Sequence, residues 1–230
     1  MAEPRRATEL PAAQFPAQEL SAGADITAHS WAAYTSLTAS FASDIRDNGW
    51  RFRMGGGYGR YSYSSRQWNG VAAVTTPYDG TITFADVLAG YQHRSGPLTV
   101  KVFAGAAAQN QSVTPFDIES PVLGWNWGAK GALETWLDIG DRAYLQIDIA
   151  YATPNDSYSG RLRLGHTVMP MLSAGLEAGV AGDAAYDAGR IGAFVRYETG
   201  LGEMSFSAGA AGDRSEISGV YGTLNALYRF

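Results

Sequence analysis

The sequence predicts an all-β protein, a transmembrane antiparallel up-and-down β-barrel of about twelve strands, with ten as the alternative. Three observations point there. Apolar and polar residues alternate with period two along most of the chain. Connections are short at every other strand end and longer in between. The chain also ends on a strand closed by Tyr228, Arg229 and Phe230. A period of two puts one set of side chains on each face of a sheet, whereas a helix would scatter the charges around a cylinder.

The 230 residues suffice for one all-β domain. Hydrophobic residues make up 46% and charged residues only 17%, with 28 Gly, 6 Trp, 13 Tyr and 9 Phe, a mixture that suits strands better than helices. No apolar run approaches the ~18 residues of a membrane helix. The mean hydropathy of −0.14 is what strands facing lipid on one side and a polar lumen on the other average to. A net charge of −5 offers no basic stripe for phosphates and argues against nucleic acid as a partner. With no cysteine, disulfides, thiol catalysis and Cys-based zinc sites are excluded. Residues 1–17, with Pro4, Pro11 and Pro16, read as a flexible periplasmic tail from which a signal peptide has been removed, and 18–230 as the barrel.

The strands are legible from the C-terminus backwards. Val220, Gly222, Leu224, Ala226, Tyr228 and Phe230 share one face, against Tyr221, Thr223, Asn225, Leu227 and Arg229. Met204, Phe206 and Ala208 oppose Ser205 and Ser207; Ile191, Ala193, Val195 and Tyr197 oppose Arg190 and Arg196, with Phe194 an apolar exception. Leu172, Leu176 and Val180 oppose Ser173 and Glu177, and Leu162 and Leu164 oppose Arg161 and Arg163. Leu145, Ile147, Ile149 and Tyr151 oppose Gln146 and Asp148, and Trp125, Trp127 and Leu133 oppose Asn126, Lys130 and Glu134. Val100 and Val102 oppose Lys101, and Trp50, Phe52, Met54 and Tyr58 oppose Arg51 and Arg53.

Short turns are expected at 43–49 (Asp47-Asn48-Gly49), 94–97, 138–142, 168–172 and 199–203, and longer loops at about 64–80, 109–122, 153–158, 182–189 and 212–219. Short connections mark the periplasmic side of such barrels. If Phe230 ends there, Trp31–Phe41 must descend, so an ascending strand must precede it. Leu20, Ala22, Ala24 and Ile26 supply that strand and bring the total to an even twelve.

Trp50 and Tyr58 lie eight residues apart on the outward face, ~26 Å along a strand and ~20 Å of height at a ~40° tilt, which matches an apolar membrane band. Trp31, Tyr58, Trp125 and Tyr151 are expected in an outer aromatic girdle, and Trp50, Tyr91, Tyr197, Tyr228 and Phe230 in an inner one. The terminal Tyr228 and Phe230 also have the form of a signal for the barrel-assembly machinery.

The chain offers little chemistry. His29 and Ser30 are strand neighbours pointing to opposite faces, and a tight turn accounts for His29. His93 and His166 fall outward near periplasmic turns, without a positioned Ser or Asp to make a nucleophile pair. The run Gly55-Gly56-Gly57-Tyr58-Gly59 lacks the Lys-Ser/Thr of a phosphate loop and serves close packing or strand curvature instead. No catalytic residue, metal or cofactor is therefore expected.

The informative set is the inward charges. Arg51, Arg53, Lys101, Lys130, Arg161, Arg163 and Arg196 share the lumen with Asp86, Glu134, Asp138, Asp148, Glu177 and Glu198, mostly in the middle and periplasmic half. Near balance of sign fits a self-satisfied ladder that closes the lumen; the other reading is a polar conduit of weak selectivity.

Several segments together resemble one family: GGGYGRYSY (55–63), FADVLAGYQ (84–92), VFAGAAAQNQSVTPFD (102–117), GAKGALETWL (128–137), YATPNDSYSGRLRLG (151–165), LSAGLEAGV and DAAYDAGRIGAFVRYE within 172–198, and YGTLNALYRF at the end. The chain is similar over residues 20–230 to the cellulose biosynthesis protein BcsS family. The resemblance implies an outer-membrane protein of bacterial cellulose synthase systems, chiefly in alphaproteobacteria, and brings no catalytic residues. His166 departs from it where an aromatic is expected.

The function expected is a non-enzymatic barrel for cellulose export, as conduit, anchor or assembly partner. Its partners would be outer-membrane lipid, the assembly machinery, and cellulose synthase subunits or glucan. An outer-membrane lipid hydrolase or acyltransferase, a small-solute porin, and a soluble sugar-binding β-protein are the alternatives.

Overall fold

The computed structural model describes residues 17–41, 44–68, 72–213 and 219–230. The expected N-terminal tail lies outside them up to residue 16. Twelve strands follow in chain order: β1 (Gln18–Thr27), β2 (Ser30–Ser40), β3 (Gly49–Trp68), β4 (Ala73–Ser95), β5 (Leu98–Thr114), β6 (Gly124–Ile139), β7 (Ala143–Ala152), β8 (Ser157–Met169), β9 (Leu172–Gly182), β10 (Asp187–Thr199), β11 (Gly202–Gly212) and β12 (Gly219–Arg229).

Each strand runs antiparallel to its chain neighbours, and β1 pairs with β12, so the sheet closes on itself. A closed sheet leaves no strand edge, and all its backbone groups pair between strands, which is what hydrocarbon demands. The seam runs from Glu19 opposite Arg229 to Thr27 opposite Tyr221, and Gln18 and Phe230 exchange backbone hydrogen bonds of 2.9 and 3.0 Å. The N-terminal hairpin inferred from parity is therefore present, and the count is twelve rather than ten.

Burial is inverted relative to a water-soluble protein. On β9 the outward Leu176 is 67% exposed while the adjacent inward Glu177 is 1% exposed. Outward residues of every strand are largely apolar, and the most enclosed side chains include Arg51, Glu177, Thr223 and Ser207. Phe194, the exception in the sequence pattern, keeps the period and points inward.

The barrel is lopsided. Strands β3, β4, β5 and β6 have 20, 23, 17 and 16 residues, and the rest have 10 to 13. β2 pairs with β3 only up to Ser30 opposite Tyr61, and β5 with β4 only up to Thr114 opposite Asp79. The β3–β4 hairpin thus stands above its neighbours as a ribbon. This corrects the expected loop at 64–80, most of which is strand, because a stacked Tyr63–Tyr78 pair (5.1 Å) holds the ladder together. The loop expected at 109–122 likewise begins only after Thr114, since Gln109, Gln111 and Val113 continue the inward alternation.

Four turns on the side holding both strand ends of the seam are short, 96–97, 140–142, 170–171 and 200–201, whereas the β2–β3 connection expected to be short at 43–49 spans 41–48. Gly96 (φ +57°) and Gly140 (φ +63°) supply left-handed backbone there. On the opposite side, 28–29 is also tight, with His29 in the bend as expected, while 115–123 and 183–186 are longer.

Candidate functional site

The barrel interior is where the polar residues converge, and small residues make the convergence possible. Tyr34 on β2 crosses over Gly23 of β1 to donate to Asn225 Oδ1 on β12 at 2.7 Å. A methyl on Gly23 would collide with the Tyr34 ring. Tyr61 lies over Gly80, Phe103 over Gly90, Phe84 over Gly57 and Tyr144 over Gly165 in the same manner. An inward aromatic therefore lies flat against the wall wherever the adjacent strand offers a glycine, as the close-packing reading of 55–59 requires.

The inner half of the lumen is crossed by paired charges. The β2–β3 turn folds under it, with Ile45 buried. Arg51 binds that turn, donating to Ser40 Oγ (2.8 Å), Ile45 O (2.9 Å), Trp50 O (3.0 Å) and Asp47 O. Gln92 Nε2 donates to Arg46 O and Asp47 O at 2.8 and 3.0 Å. Above this, Arg53 on β3 binds Glu134 on β6, and its guanidinium lies 4.1 Å from the Phe103 ring centre. Lys101 on β5 reaches Glu134 (3.7 Å) and Glu19 on β1 (3.9 Å), which also pairs with Arg229 (3.4 Å). On the other side Arg196 binds Glu203 and Glu198 (3.2 Å) and covers the Trp136 ring of β6 at 4.6 Å.

Glu177 is the centre of the middle tier. Its carboxylate accepts from Arg163 Nε (2.6 Å), Ser207 Oγ (3.2 Å) and Tyr221 OH (3.2 Å), with Arg190 Nε at 3.6 Å. Arg163 Nη2 donates to Ser207 Oγ at 2.9 Å, and Arg190 Nη1 donates to Asp25 Oδ2 at 2.7 Å. Arg161 pairs with Asp148 at 2.7 Å and Lys130 with Asp86 at 2.5 Å. Several of these are chords rather than neighbour contacts: β3 to β6, β9 to β12 and β10 to β1 are three strands apart, β1 to β5 four, in a ring where six is the maximum. Buried charges survive only when paired and hydrogen-bonded, and here each cation meets an anion or a carbonyl.

The outer half differs. Its tall wall, β3 to β6, carries Tyr61, Tyr63, Tyr78, Gln109, Gln111 and Asn126 inward. Tyr61 donates to Gln111 Oε1 (2.7 Å), Gln111 Nε2 to Asp183 Oδ2 (2.9 Å), and Tyr63 to Asp117 Oδ2 (2.6 Å). Burial, with the Asp183 carboxylate, pushes the Tyr61 phenol up to about 12, and burial with the Asp117 hydrogen bond raises Tyr63 further. Both stay neutral donors. The low wall opposite ends in small side chains, and Ser159 and Ala181 point inward yet are solvent-exposed.

Of the inward charges expected from sequence, Arg53, Asp86, Lys101, Lys130, Glu134, Asp148, Arg161, Arg163, Glu177 and Arg196 face the lumen in opposite-charge pairs. Three differ. Arg51 binds turn carbonyls instead of a ladder carboxylate, because the chain folds under the barrel within its reach. Asp138 and Glu198 sit exposed at the inner rim, where their strands end. Asp138 accepts from the Trp136 indole at 2.8 Å and Glu198 shares Arg196 with Glu203. The list lacked Glu19, Asp25, Arg190, Glu203 and Arg229, all on the polar face by the same alternation.

The aromatics expected in girdles all point outward, and some pair: Trp50 with Tyr91 (5.5 Å), Trp31 with Tyr58 (5.8 Å) and Tyr228 with Phe230 (5.8 Å). His93 and His166 are outward and exposed. Among the described residues no cluster of His, Cys, Asp and Glu could hold a metal ion.

Comparison with solved structures agrees with this geometry. An outer membrane channel from Pseudomonas putida F1 is similar at 12% identity and TM-score 0.51, with 100% of each chain covered. The KdgM porin is similar at 10% identity and TM-score 0.51, covering 92% of this chain and 99% of its own. The transport unit of the autotransporter AIDA-I from Escherichia coli gives 11% identity and TM-score 0.51, with 93% and 89% covered. At such identities the likeness shows the fold, that of outer-membrane β-barrels. No curated protein matches the sequence. The family model described as cellulose biosynthesis protein BcsS matches residues 20–230, and the chain belongs to that family.

Proposed function

We propose that this BcsS-family barrel sits in the outer membrane as a non-enzymatic, non-conducting accessory of cellulose biosynthesis, an anchor or assembly partner rather than the pore for the polymer. The observation that carries this reading is the set of ion pairs strung across the lumen between strands three and four apart. A twelve-strand ring holds little more than its own side chains once these are in place. The exposed apolar outer face, Leu176 and Val195 among it, supports lipid as the surrounding medium.

Enzyme chemistry finds no support. His93 is opposite Val100, and His166 is opposite Ala143 and Ala174, so neither faces a hydroxyl or carboxylate in register. In this reading the aromatic rings mark the lipid interfaces, and Tyr228 and Phe230 at the closing seam address the assembly machinery after export through the periplasm. Cellulose-synthesis subunits are the partners of the exposed ends.

Planar-bilayer recording of the purified protein tests the proposal. The expected result is no steady conductance. A large, stable conductance would overturn it and make a channel, for glucan or small solutes, the leading account.

A further inference from the structure

The outer half of the lumen contains a surface that the closed inner half does not explain. Tyr61 starts on β3, passes over Gly80 of β4 and hydrogen-bonds Gln111 on β5. Its ring therefore lies flat on the wall, with one face turned to the lumen. Tyr63, two residues further out, stacks on the buried Tyr78 (5.1 Å, 15°) and reaches Asp117. The Tyr61 and Tyr63 planes differ by only 20°, with ring centres 6.2 Å apart. Two half-buried rings thus tile one wall side by side, beyond the outward Trp31–Tyr58 pair.

The edge of this tile is polar, with amides and two carboxylates and no cation among the described residues. Gln109 and Asn126 are opposite each other across β5 and β6, Gln109 buried and Asn126 part-exposed. The two carboxylates here, Asp117 and Asp183, accept bonds from Tyr63 and Gln111. Among the described residues no basic side chain points inward above the Lys130–Asp86 and Arg190–Asp25 pairs; Arg60 and Arg66 face outward. The facing rim ends in the exposed Ser159 and Ala181, and just beyond them Asp183 reaches across to Gln111 at 2.9 Å.

We infer that the Tyr61–Tyr63 tile is a binding platform for a segment of neutral β-linked glucan. An equatorially substituted pyranose has apolar C–H faces that stack on aromatic rings, and a rim of hydroxyls that suits amides and carboxylates. Ring spacing of this size is of the order of one sugar repeat. The absence, among the described residues, of inward cations at the level of the tile disfavours an anionic polysaccharide. The choice of glucan over other neutral sugars rests on the function proposed above; the platform itself rests on the geometry.

Calorimetric titration of the detergent-solubilised full chain with cellohexaose tests this, with oligogalacturonate as the anionic comparison. Wild type should bind cellohexaose and not the acidic oligomer. Tyr61→Ala and Tyr63→Ala should each weaken binding about tenfold or more, and Asn126→Ala severalfold. Tyr63→Phe keeps the ring and should retain binding. It guards against loss through misfolding, as does unchanged heat-dependent gel mobility. No binding of cellohexaose at millimolar concentration, equal binding of oligogalacturonate, or unaltered binding by folded Tyr61→Ala and Tyr63→Ala would each overturn the inference. Binding by a barrel that conducts would sustain this inference while sinking the closed-barrel reading; a closed barrel that ignores cellohexaose would do the reverse.

Discussion

The inner and outer halves of the lumen are built from the same alternation on the same strands, yet they solve opposite problems. The inner half spends its side chains on one another: Glu177 has four polar partners, and Arg163, Ser205, Ser207 and Thr223 are all enclosed with it. The outer half, on the tall wall of β3 to β6, lays aromatic rings flat over glycine and tyrosine and ties them to the amide of Gln111 and the carboxylate of Asp117. Long charged side chains span the inner half, while flat rings line the wall of the outer one, where Gln111 meets Asp183. Inward residue size and charge, together with the extra height of β3 to β6, therefore separate the two halves.

The largest expected effect comes from attacking the plug. Glu177→Ala would leave Arg163 buried without its anion and should cost about 3–5 kcal/mol, read by urea unfolding in detergent. Ser159→Ala in the outer half should stay within about 0.5 kcal/mol. Equal losses would erase the distinction between the halves.

A second test separates lumen from lipid face. Leu176→Arg should cost about 2–4 kcal/mol in a bilayer folding assay, near the midplane value for a cation facing lipid. Ser173→Asn, inward on the same strand, should cost much less. Similar losses on both faces would contradict the assigned in/out parity.

Opening the plug should be visible electrically. The double change Arg161→Ala and Arg163→Ala leaves Asp148 and Glu177 without their nearest cations. Bilayer recordings of this variant should show a small cation-selective conductance where the wild type shows none. A variant as silent as wild type would mean that other chords suffice for closure.

The smallest effect belongs to the outer half. Gly80→Ala would push the Tyr61 ring off the wall and break its bond to Gln111, at about 1 kcal/mol, with no change in conductance. Stability loss as large as that of Glu177→Ala would show that the outer half is structural core after all.

Much of the fold is legible in the residues. Period two placed Arg53, Asp86, Lys130, Glu134 and Glu177 inward and Leu176, Val195 and Trp50 outward, and chain parity demanded the hairpin containing Leu20–Ile26. The same rule applied to β1 adds Glu19 and Asp25 to the lumen, since they alternate with Leu20 and Ala24, and Arg229 already stood on the polar face of β12. The tall hairpin was hidden because Ser62, Ser64, Thr75 and Pro77 look like loop, and its pairing depends on Tyr63 meeting Tyr78 across the strands.

The sequence by itself determined which way each side chain faces, because alternation along an extended chain is a local property. It did not determine who meets whom. Lys101 with Glu19, Arg190 with Asp25 and Arg53 with Glu134 join strands that are neither neighbours in the chain nor neighbours in the sheet. Those meetings exist only once β1 has closed on β12 and curvature has brought distant walls within a side chain's reach. Which inward charges can meet is decided by that closure, since pairing across a lumen depends on its width and not on the order of residues along any strand.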